Sequence, residues 1–138
     1  MNWFDKNNDE NSILKLAITT LFIHAAKLDG MYHNDEKDTI SLCLKKLGVN
    51  DNDIQDLLVK AEQEEENNNQ ILHLTQEIKK INYTNRLKVI EMLLEIIYAD
   101  QKLDEFEDNL IRRVAGLTYI ENKDLGAIKI KLKNKLKL

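Results

Sequence analysis

Residues 21–40 read LFIHAAKLDGMYHNDEKDTI: an apolar run that ends in Asp, followed seven residues later by a Glu that opens a second amphipathic run. The same pattern returns in MLLEIIYADQKLDEFEDNLI, residues 92–111, which aligns without a gap at an offset of 71 residues. A repeat of this length predicts two related helical hairpins in one chain. The acidic residues of the two copies are Asp29, Glu36, Asp100 and Glu107.

The whole chain is predicted to be all-α. It contains no proline and only four glycines, and its apolar residues recur at helical spacing. We therefore expect a single domain over residues 1–138, a compact bundle of about seven helices built on two pseudo-symmetric helical hairpins. The repeat copies cover about 14–49 and 85–120, and we expect residues 1–10 to be flexible.

Local signals place the helices along the chain. The predicted ranges are 12–28, 34–47, 51 to about 61, 70–81, 84–99, 105–117 and a last segment from 122. Gly48 is predicted to end the second helix in a left-handed conformation, and Thr84 to cap the fifth. The acidic, Asn-rich stretch EQEEENNN at 62–69 is predicted to be a solvated linker.

The last segment carries two conflicting patterns. IKIKLKNKLKL alternates as a strand does, whereas Leu125, Ile128 and Leu132 form a helical stripe that leaves out Ile130. Since an isolated strand has no partner in an all-α protein, we expect a helix that frays beyond Leu132.

Helices one and five are apolar nearly all round, which predicts that they form the centre of the bundle. The two acidic corners therefore follow the two core helices. Cys43 lies on the inner face of the second helix and is predicted to be a buried, unreactive thiol.

Composition narrows the class of protein. With 43% apolar and 32% charged residues, the chain reads as an ordinary globular domain. It has no membrane-length apolar run, no signal-peptide pattern and one cysteine, so a cytoplasmic location is expected. Six lysines and two acids follow residue 120, and the remaining residues carry a net charge of −8. Such an acidic body argues against a nucleic-acid partner, because binding phosphates requires a basic surface.

The Lys-rich end has two interpretations that the sequence leaves open. It can be a solvated helix face, or it can contact an acidic protein or an anionic membrane surface peripherally. A protein partner is expected, but its identity and the oligomeric state are not encoded in any recognisable motif.

The acidic corners also have two interpretations. A carboxylate at the C-terminal end of a helix costs about 0.3–1 kcal/mol, and the chain places one there twice. One interpretation is structural: Asp29 and Asp100 fold back onto backbone N–H groups, and the Glu residues cap helix starts. His33 and Asp104 are then the N-caps.

The functional interpretation is a shared acidic pocket that binds a cation. The candidate ligands are Asp29, Glu36, Asp100 and Glu107, with Asp104 and His33 as additional candidates. Oxygen ligands favour Ca²⁺, Mg²⁺ or Mn²⁺ over Zn²⁺. The spacing excludes an EF-hand in either copy, since neither has the required Gly and bidentate Glu. No catalytic motif is visible, and we expect no enzymatic activity.

The corners resemble those of the TerB-like family of tellurite-resistance proteins. That family's pattern is an apolar helix ending in Ala-Asp-Gly, then a turn and a Glu opening the next helix, with a similar second copy. Here the copies read KLDGMYHNDE and YADQKLDEFE, with Leu28 in place of Ala and Gln101 in place of Gly. The resemblance implies a seven-helix domain, cytoplasmic or membrane-associated, without established enzymatic activity and with a suspected metal site. It also implies a role in tellurite resistance or another stress response.

Overall fold

The computed structural model describes residues 9–28, 32, 34–67, 71–99 and 105–136, and their side chains except those of 9–11 and 105–107. This part of the chain folds into seven α-helices and contains no strand, so the all-α prediction is confirmed. The helices are α1 (Asp9–Lys27), α2 (Asn34–Lys46), α3 (Asp51–Asn67), α4 (Ile71–Ile78), α5 (Tyr83–Tyr98), α6 (Glu105–Leu117) and α7 (Asn122–Leu136).

The core consists mainly of α1 and α5, as their composition predicts. Ile18, Leu21 and Phe22 of α1 and Ile90 and Leu93 of α5 have no exposed surface. The two helices contact each other, α3 and α4 pack on α1, and α6 and α7 pack on α5. Full burial of a large apolar side chain stabilises the fold by about 1.5–3 kcal/mol, so these two helices supply most of the driving force.

Residues 62–67 of the acidic stretch predicted as a linker are helical instead, and residues 68–69 lie outside the described residues. Helix α3 continues to Asn67, and Glu65 in its last turns is only 9% exposed. Its carboxylate is paired with Lys27 and His24 of α1, which compensates the charge on burial. The prediction failed because a Glu-rich run gives no sign of which carboxylate meets a partner from another helix.

The cap of α5 also differs from the prediction. Asn82 rather than Thr84 is the N-cap: its Oδ1 accepts a hydrogen bond of 2.9 Å from the backbone N–H of Asn85. Asn is among the best N-cap residues, so the helix begins at Tyr83.

The Lys-rich end forms the helix α7 and not a strand. Leu125 and Leu132 are buried, Ile128 is partly buried against the core, and Ile130 is 63% exposed, which is the helical stripe read from the sequence. The helix continues past Leu132 to Leu136, where fraying was predicted, because Leu136 packs against the core as well.

The repeat extends over three helices in the described residues. Shifting the bounds of α2 by 71 positions gives the bounds of α6. The same shift takes the last residue of α1 to the last residue of α5, and the first residue of α3 to the first residue of α7. Two turns match as well, since Gly48 (φ 100°) and Tyr119 (φ 58°) both have positive φ. Superposition of the two halves about a pseudo-symmetry axis stays a prediction.

The same backbone hydrogen bonds close these two turns. The backbone N–H of Val49 donates a hydrogen bond of 3.0 Å to the carbonyl oxygen of Leu44. The backbone N–H of Ile120 donates one of 2.9 Å to the carbonyl oxygen of Ala115. A hydrogen bond that spans six residues and encloses a residue with positive φ is characteristic of the Schellman motif at the C-terminus of a helix. Gly48 was predicted to take this role and does. Tyr119 has it without being a glycine.

Within the described part of the chain, each helix is too short or too polar to cross a lipid bilayer.

Candidate functional site

The predicted site residues lie largely outside the part of the chain that can be described. Asp29, His33, Asp100 and Asp104 are outside it, and Glu107 belongs to α6 without a described side chain. Within the described residues, no three His, Cys, Asp or Glu side chains are grouped as a metal site would require. The proximity of Asp29 and Asp100 therefore stays a prediction.

Glu36 is the one candidate ligand with a described side chain. It lies in the first turn of α2 beside Asp35 and is partly exposed. Carboxylates are stabilised there by the helix dipole, by about 0.3–1 kcal/mol each. This position agrees with both interpretations of Glu36, a helix-start residue and a ligand.

A network of polar and charged side chains ties Tyr32 and the start of α2 to α3. Tyr32 lies between the two acidic positions of the corner, and its hydroxyl donates a hydrogen bond of 3.1 Å to Oε1 of Glu62. Lys37 Nζ lies 3.5 Å from the same oxygen and 5.2 Å from the centre of the Tyr32 ring. Burial, together with the Glu62 carboxylate, raises the pKa of Tyr32 above its usual range. Tyr32 is therefore a neutral hydrogen-bond donor.

A second carboxylate of α3 completes this network. Glu65 Oε2 lies 3.0 Å from Lys27 Nζ, and its Oε1 lies 3.4 Å from His24 Nδ1. Lys27 also faces the Tyr32 ring, at 5.7 Å from its centre. The end of α1 and the start of α2 are thus both tied to the last turns of α3. Sequence reasoning missed this network because it assigned those turns to a linker.

The second corner has a different environment. Tyr98, in the last turn of α5, is 1% exposed, and its hydroxyl has no hydrogen-bond partner among the described residues. Burial, and to a lesser extent Asp108, raises its pKa. Asp108 itself pairs with Lys129 of α7 at 3.3 Å and with Arg112 at 3.0 Å. Here Lys129 of α7 supplies the charge that pairs with α6.

One ion pair locates the end of α5 relative to α2. Lys46, the last residue of α2, lies with its Nζ 3.7 Å from Oε2 of Glu95, one turn before the end of α5. A 13-residue helix is about 20 Å long, since each residue adds 1.5 Å. The last turn of α5 therefore contacts the end of α2 that is remote from Glu36.

Two surface grooves lie between a core helix and the third helix of each half. The groove between α1 and α3 has a volume of about 460 Å³, with Leu16 and Leu57 among its lining residues. The groove between α5 and α7 has about 300 Å³ and is lined by Leu87 and Ile128, at the matched positions. The α5–α7 groove is mainly apolar and suits an apolar side chain of a partner, whereas polar and apolar groups line the α1–α3 groove about equally.

The buried thiol is the remaining chemically distinctive group. Cys43 is 1% exposed, as predicted, and burial raises its pKa to about 12. The thiolate, which is the nucleophile, is therefore scarce at neutral pH.

The fold and the corners can now be compared with known proteins. A family model described as "Tellurite resistance protein TerB" matches residues 15–130. The chain belongs to the TerB family. The match begins in α1, ends in α7 and includes both acidic corners, so the resemblance seen in the sequence is confirmed. Comparison with curated proteins and with solved structures gives no match.

Proposed function

We propose that this TerB-family chain is a non-enzymatic cytoplasmic domain that binds a divalent cation through its acidic corners and engages a protein partner. We place this role in tellurite resistance or another stress response. The observation that carries the proposal is the duplicated Asp-to-Glu corner within the segment matched by the family model. Chance places one carboxylate at a helix C-terminal end easily, but two at matched positions have a common cause.

The chemistry of the corners favours a hard cation. Asp29, Glu36, Asp100 and Glu107 offer only carboxylate oxygens, which suit Ca²⁺, Mg²⁺ or Mn²⁺ better than Zn²⁺. A cation would also offset the unfavourable interaction of Asp29 and Asp100 with the negative ends of α1 and α5. Asp104 and His33 are further candidate ligands.

Nearby lysines do not oppose a cation at the first corner. Lys27 is paired with Glu65 and Lys37 with Glu62, so the charge of each ammonium is already compensated. The electrostatic potentials of a lysine and of its paired carboxylate largely cancel at the position of a neighbouring ligand. The hydrogen bond from Tyr32 to Glu62 also anchors residue 32, which lies between Asp29 and Glu36 in the sequence, onto α3.

One ion at each corner is supported better than one ion in a shared pocket. The Lys46–Glu95 pair brings the end of α5 beside the C-terminal end of α2. That end lies about 20 Å from the N-terminal end of α2. Asp100 follows α5 directly, whereas Asp29 precedes α2. We therefore propose two similar sites, each with one Asp and one Glu of its own copy.

The proposal assigns no catalysis to the chain. Cys43, with its pKa raised to about 12, is a poor nucleophile, and the groove between α5 and α7 has mainly apolar walls that suit binding. Protein is favoured over nucleic acid as the partner because the body is acidic. Peripheral membrane contact through α7 is a lesser candidate, since Lys129 and Lys131 are engaged with Asp108 and Glu91.

Thermal unfolding and calorimetric titration test the cation proposal. A cation that binds only the folded state stabilises it by about 2.7 kcal/mol at a hundredfold excess over Kd, which raises Tm by several degrees. Wild type is melted in EDTA and in each of Ca²⁺, Mg²⁺, Mn²⁺ and Zn²⁺. Asp29→Asn and Asp100→Asn should each halve the binding stoichiometry, and the double variant should lose the response.

The matched control is Asp53→Asn, an exposed carboxylate on α3 that is not a candidate ligand, which should keep the full response. A single variant that abolishes all binding would favour the shared pocket over two sites. If no ion shifts the wild-type transition more than that of the double variant, the acidic residues act only as helix caps and the chain is a structural scaffold.

A further inference from the structure

Two exposed aliphatic side chains occupy matched positions of the third helices. Val59 of α3 is 50% exposed and Ile130 of α7 is 63% exposed, and they are 71 residues apart, which is the offset of the repeat. Most other branched aliphatic residues of these helices face the core. Each half of the molecule therefore presents one apolar side chain on the outer face of its third helix.

The charges around these two side chains are opposite. Helix α3 has seven acidic residues and one lysine, whereas α7 has five lysines and one aspartate. Glu64 and Glu66 form no ion pair with another described residue, and neither do Lys133 and Lys135. Glu66 lies on the side of α3 that carries Val59, seven residues away, and Lys133 lies near Ile130 on α7, three residues away, whereas Glu64 and Lys135 lie on other sides of their helices. The free charges on the two faces are thus complementary in sign.

The two faces of one chain point away from different core helices. Helix α3 packs on α1 and α2, and α7 packs on α5. Their remaining surfaces are exposed, including Val59, Gln63 and Glu66 on α3 and Ile130, Lys133 and Asn134 on α7. Faces that are complementary but lie on different sides of one molecule can meet when they belong to two molecules.

We propose that the outer face of α3 in one copy of this chain docks on the outer face of α7 in a second copy. Val59 and Ile130 then form the apolar centre, with the Glu66 carboxylate of α3 opposite the Lys133 ammonium of α7. This inference goes beyond the proposed function and does not depend on a cation.

The contact is heterologous, because each copy contributes a different face. After each addition the assembly still has one unoccupied α3 face and one unoccupied α7 face. The assembly therefore grows as the protein concentration rises, or it closes into a ring. Complementary charges strengthen it at low ionic strength, and salt weakens it, since the Debye length falls from about 10 Å at 0.1 M to about 3 Å at 1 M.

Analytical ultracentrifugation of the full chain tests the proposal. At low ionic strength the weight-average mass should rise above the monomer value of 16.1 kDa with increasing concentration, and it should return to that value in high salt. Two interface variants are compared with wild type: Ile130→Ser with Lys133→Glu on α7, and Val59→Ser with Glu66→Gln on α3. Each variant alone should stay at the monomer mass.

Mixing the two variants gives the decisive result. The α7 variant keeps an intact α3 face and the α3 variant keeps an intact α7 face, so one productive contact remains. An equimolar mixture should form a dimer of one copy of each variant and should not grow further with concentration. Tm values close to that of wild type establish that both variants are folded, since all four positions are exposed.

Leu42→Ser is the matched control. Leu42 is 57% exposed on α2, outside both faces, and its replacement should leave self-association unchanged. The proposal is overturned if wild type remains monomeric at every concentration and ionic strength tested. It is equally overturned if Leu42→Ser disrupts association as strongly as the interface variants, or if the two variants do not combine.

Discussion

The two halves of this molecule share a backbone plan and differ in the charges that hold it. The end of the first helix, both bounds of the second helix and the start of the third helix match between α1–α3 and α5–α7, and both halves contain the same left-handed turn before the third helix. The charge that the third helix contributes to its ion pairs nevertheless has opposite signs in the two halves. In the first half Lys37 of α2 pairs with Glu62 of α3, and in the second half Asp108, at the matched position of α6, pairs with Lys129 of α7.

This inversion shows which features determine the fold. A Coulomb interaction is unchanged when both charges reverse sign, so the surface pairs can be exchanged while the structure is kept. Apolar positions cannot be exchanged in this way: Ile54 and Leu125, at matched positions of α3 and α7, are both buried. The apolar pattern and the turns therefore specify the fold, and the charges give each half its own surface.

Core truncation should give the largest effect and should affect the halves alike. Phe22 and Leu93 occupy matched positions of α1 and α5 and are fully buried. We expect Phe22→Ala to lower the free energy of unfolding by about 3–5 kcal/mol and Leu93→Ala by about 2–5 kcal/mol, because both create cavities. Urea denaturation measures both. If one variant costs less than about 1 kcal/mol, the two core helices are not equivalent.

A smaller effect should distinguish the halves. Glu65→Gln removes the charge that meets Lys27 and His24, and we expect the free energy of unfolding to fall by about 1–3 kcal/mol. Position 136, its counterpart, is a leucine packed against the core and has no such pair to lose. Glu66→Gln is the control, because this exposed neighbour has no ion pair among the described residues. Equal losses in the two variants would contradict a structural role for the Glu65 network.

The left-handed turns should respond to substitution with opposite signs. Gly48→Ala introduces a Cβ at φ 100° and should cost about 1–2 kcal/mol. Tyr119→Gly removes the Cβ at φ 58° and should stabilise the fold by up to about 1 kcal/mol, since the Tyr119 side chain is 67% exposed and little burial is lost. Chemical denaturation of both variants measures the difference. Two effects of the same sign would mean that packing, and not backbone strain, dominates at one turn.

The smallest expected effect concerns Cys43 and its counterpart Val114, both of which are buried. Because the pKa of Cys43 is raised to about 12, thiol reagents should label the native protein slowly at neutral pH and rapidly in denaturant. Stability should also fall as the pH rises from about 8.5 towards 12, since the unfolded chain releases the thiol proton first. Cys43→Val should remove this contribution. Fast stoichiometric labelling without denaturant would contradict the assigned burial.

Much of the fold followed from short-range signals. The helical stripes identified all seven helices, and the start and end of α6 were predicted to the residue, because apolar spacing and turn residues act within a few positions of each other. The failures have a common cause. The end of α3 and the end of α7 were misjudged because Glu65 and Leu136 are stabilised by contacts with residues that are distant in the chain.

For the candidate site, the sequence supplied the carboxylates and their duplication but not their surroundings. Nothing in the segment around Tyr32 indicates that Glu62 of α3 accepts its hydrogen bond, since the two residues belong to different elements. The pairing of Lys46 with Glu95 is likewise a contact between distant segments. The spacing of the ligands within each corner is local, whereas the distance between corners depends on helix packing.

The sequence by itself determined the all-α class, the repeat and the membership of the TerB family, because each depends on residue type and spacing along one chain. The tertiary structure alone decided that α3 is held by its glutamates and α7 by its lysines, and that Val59 and Ile130 remain exposed at matched positions. The physical reason is that burial and charge pairing are properties of side chains brought together by packing. Periodicity specifies which face of a helix is apolar, but only packing specifies what that face and its charged neighbours meet.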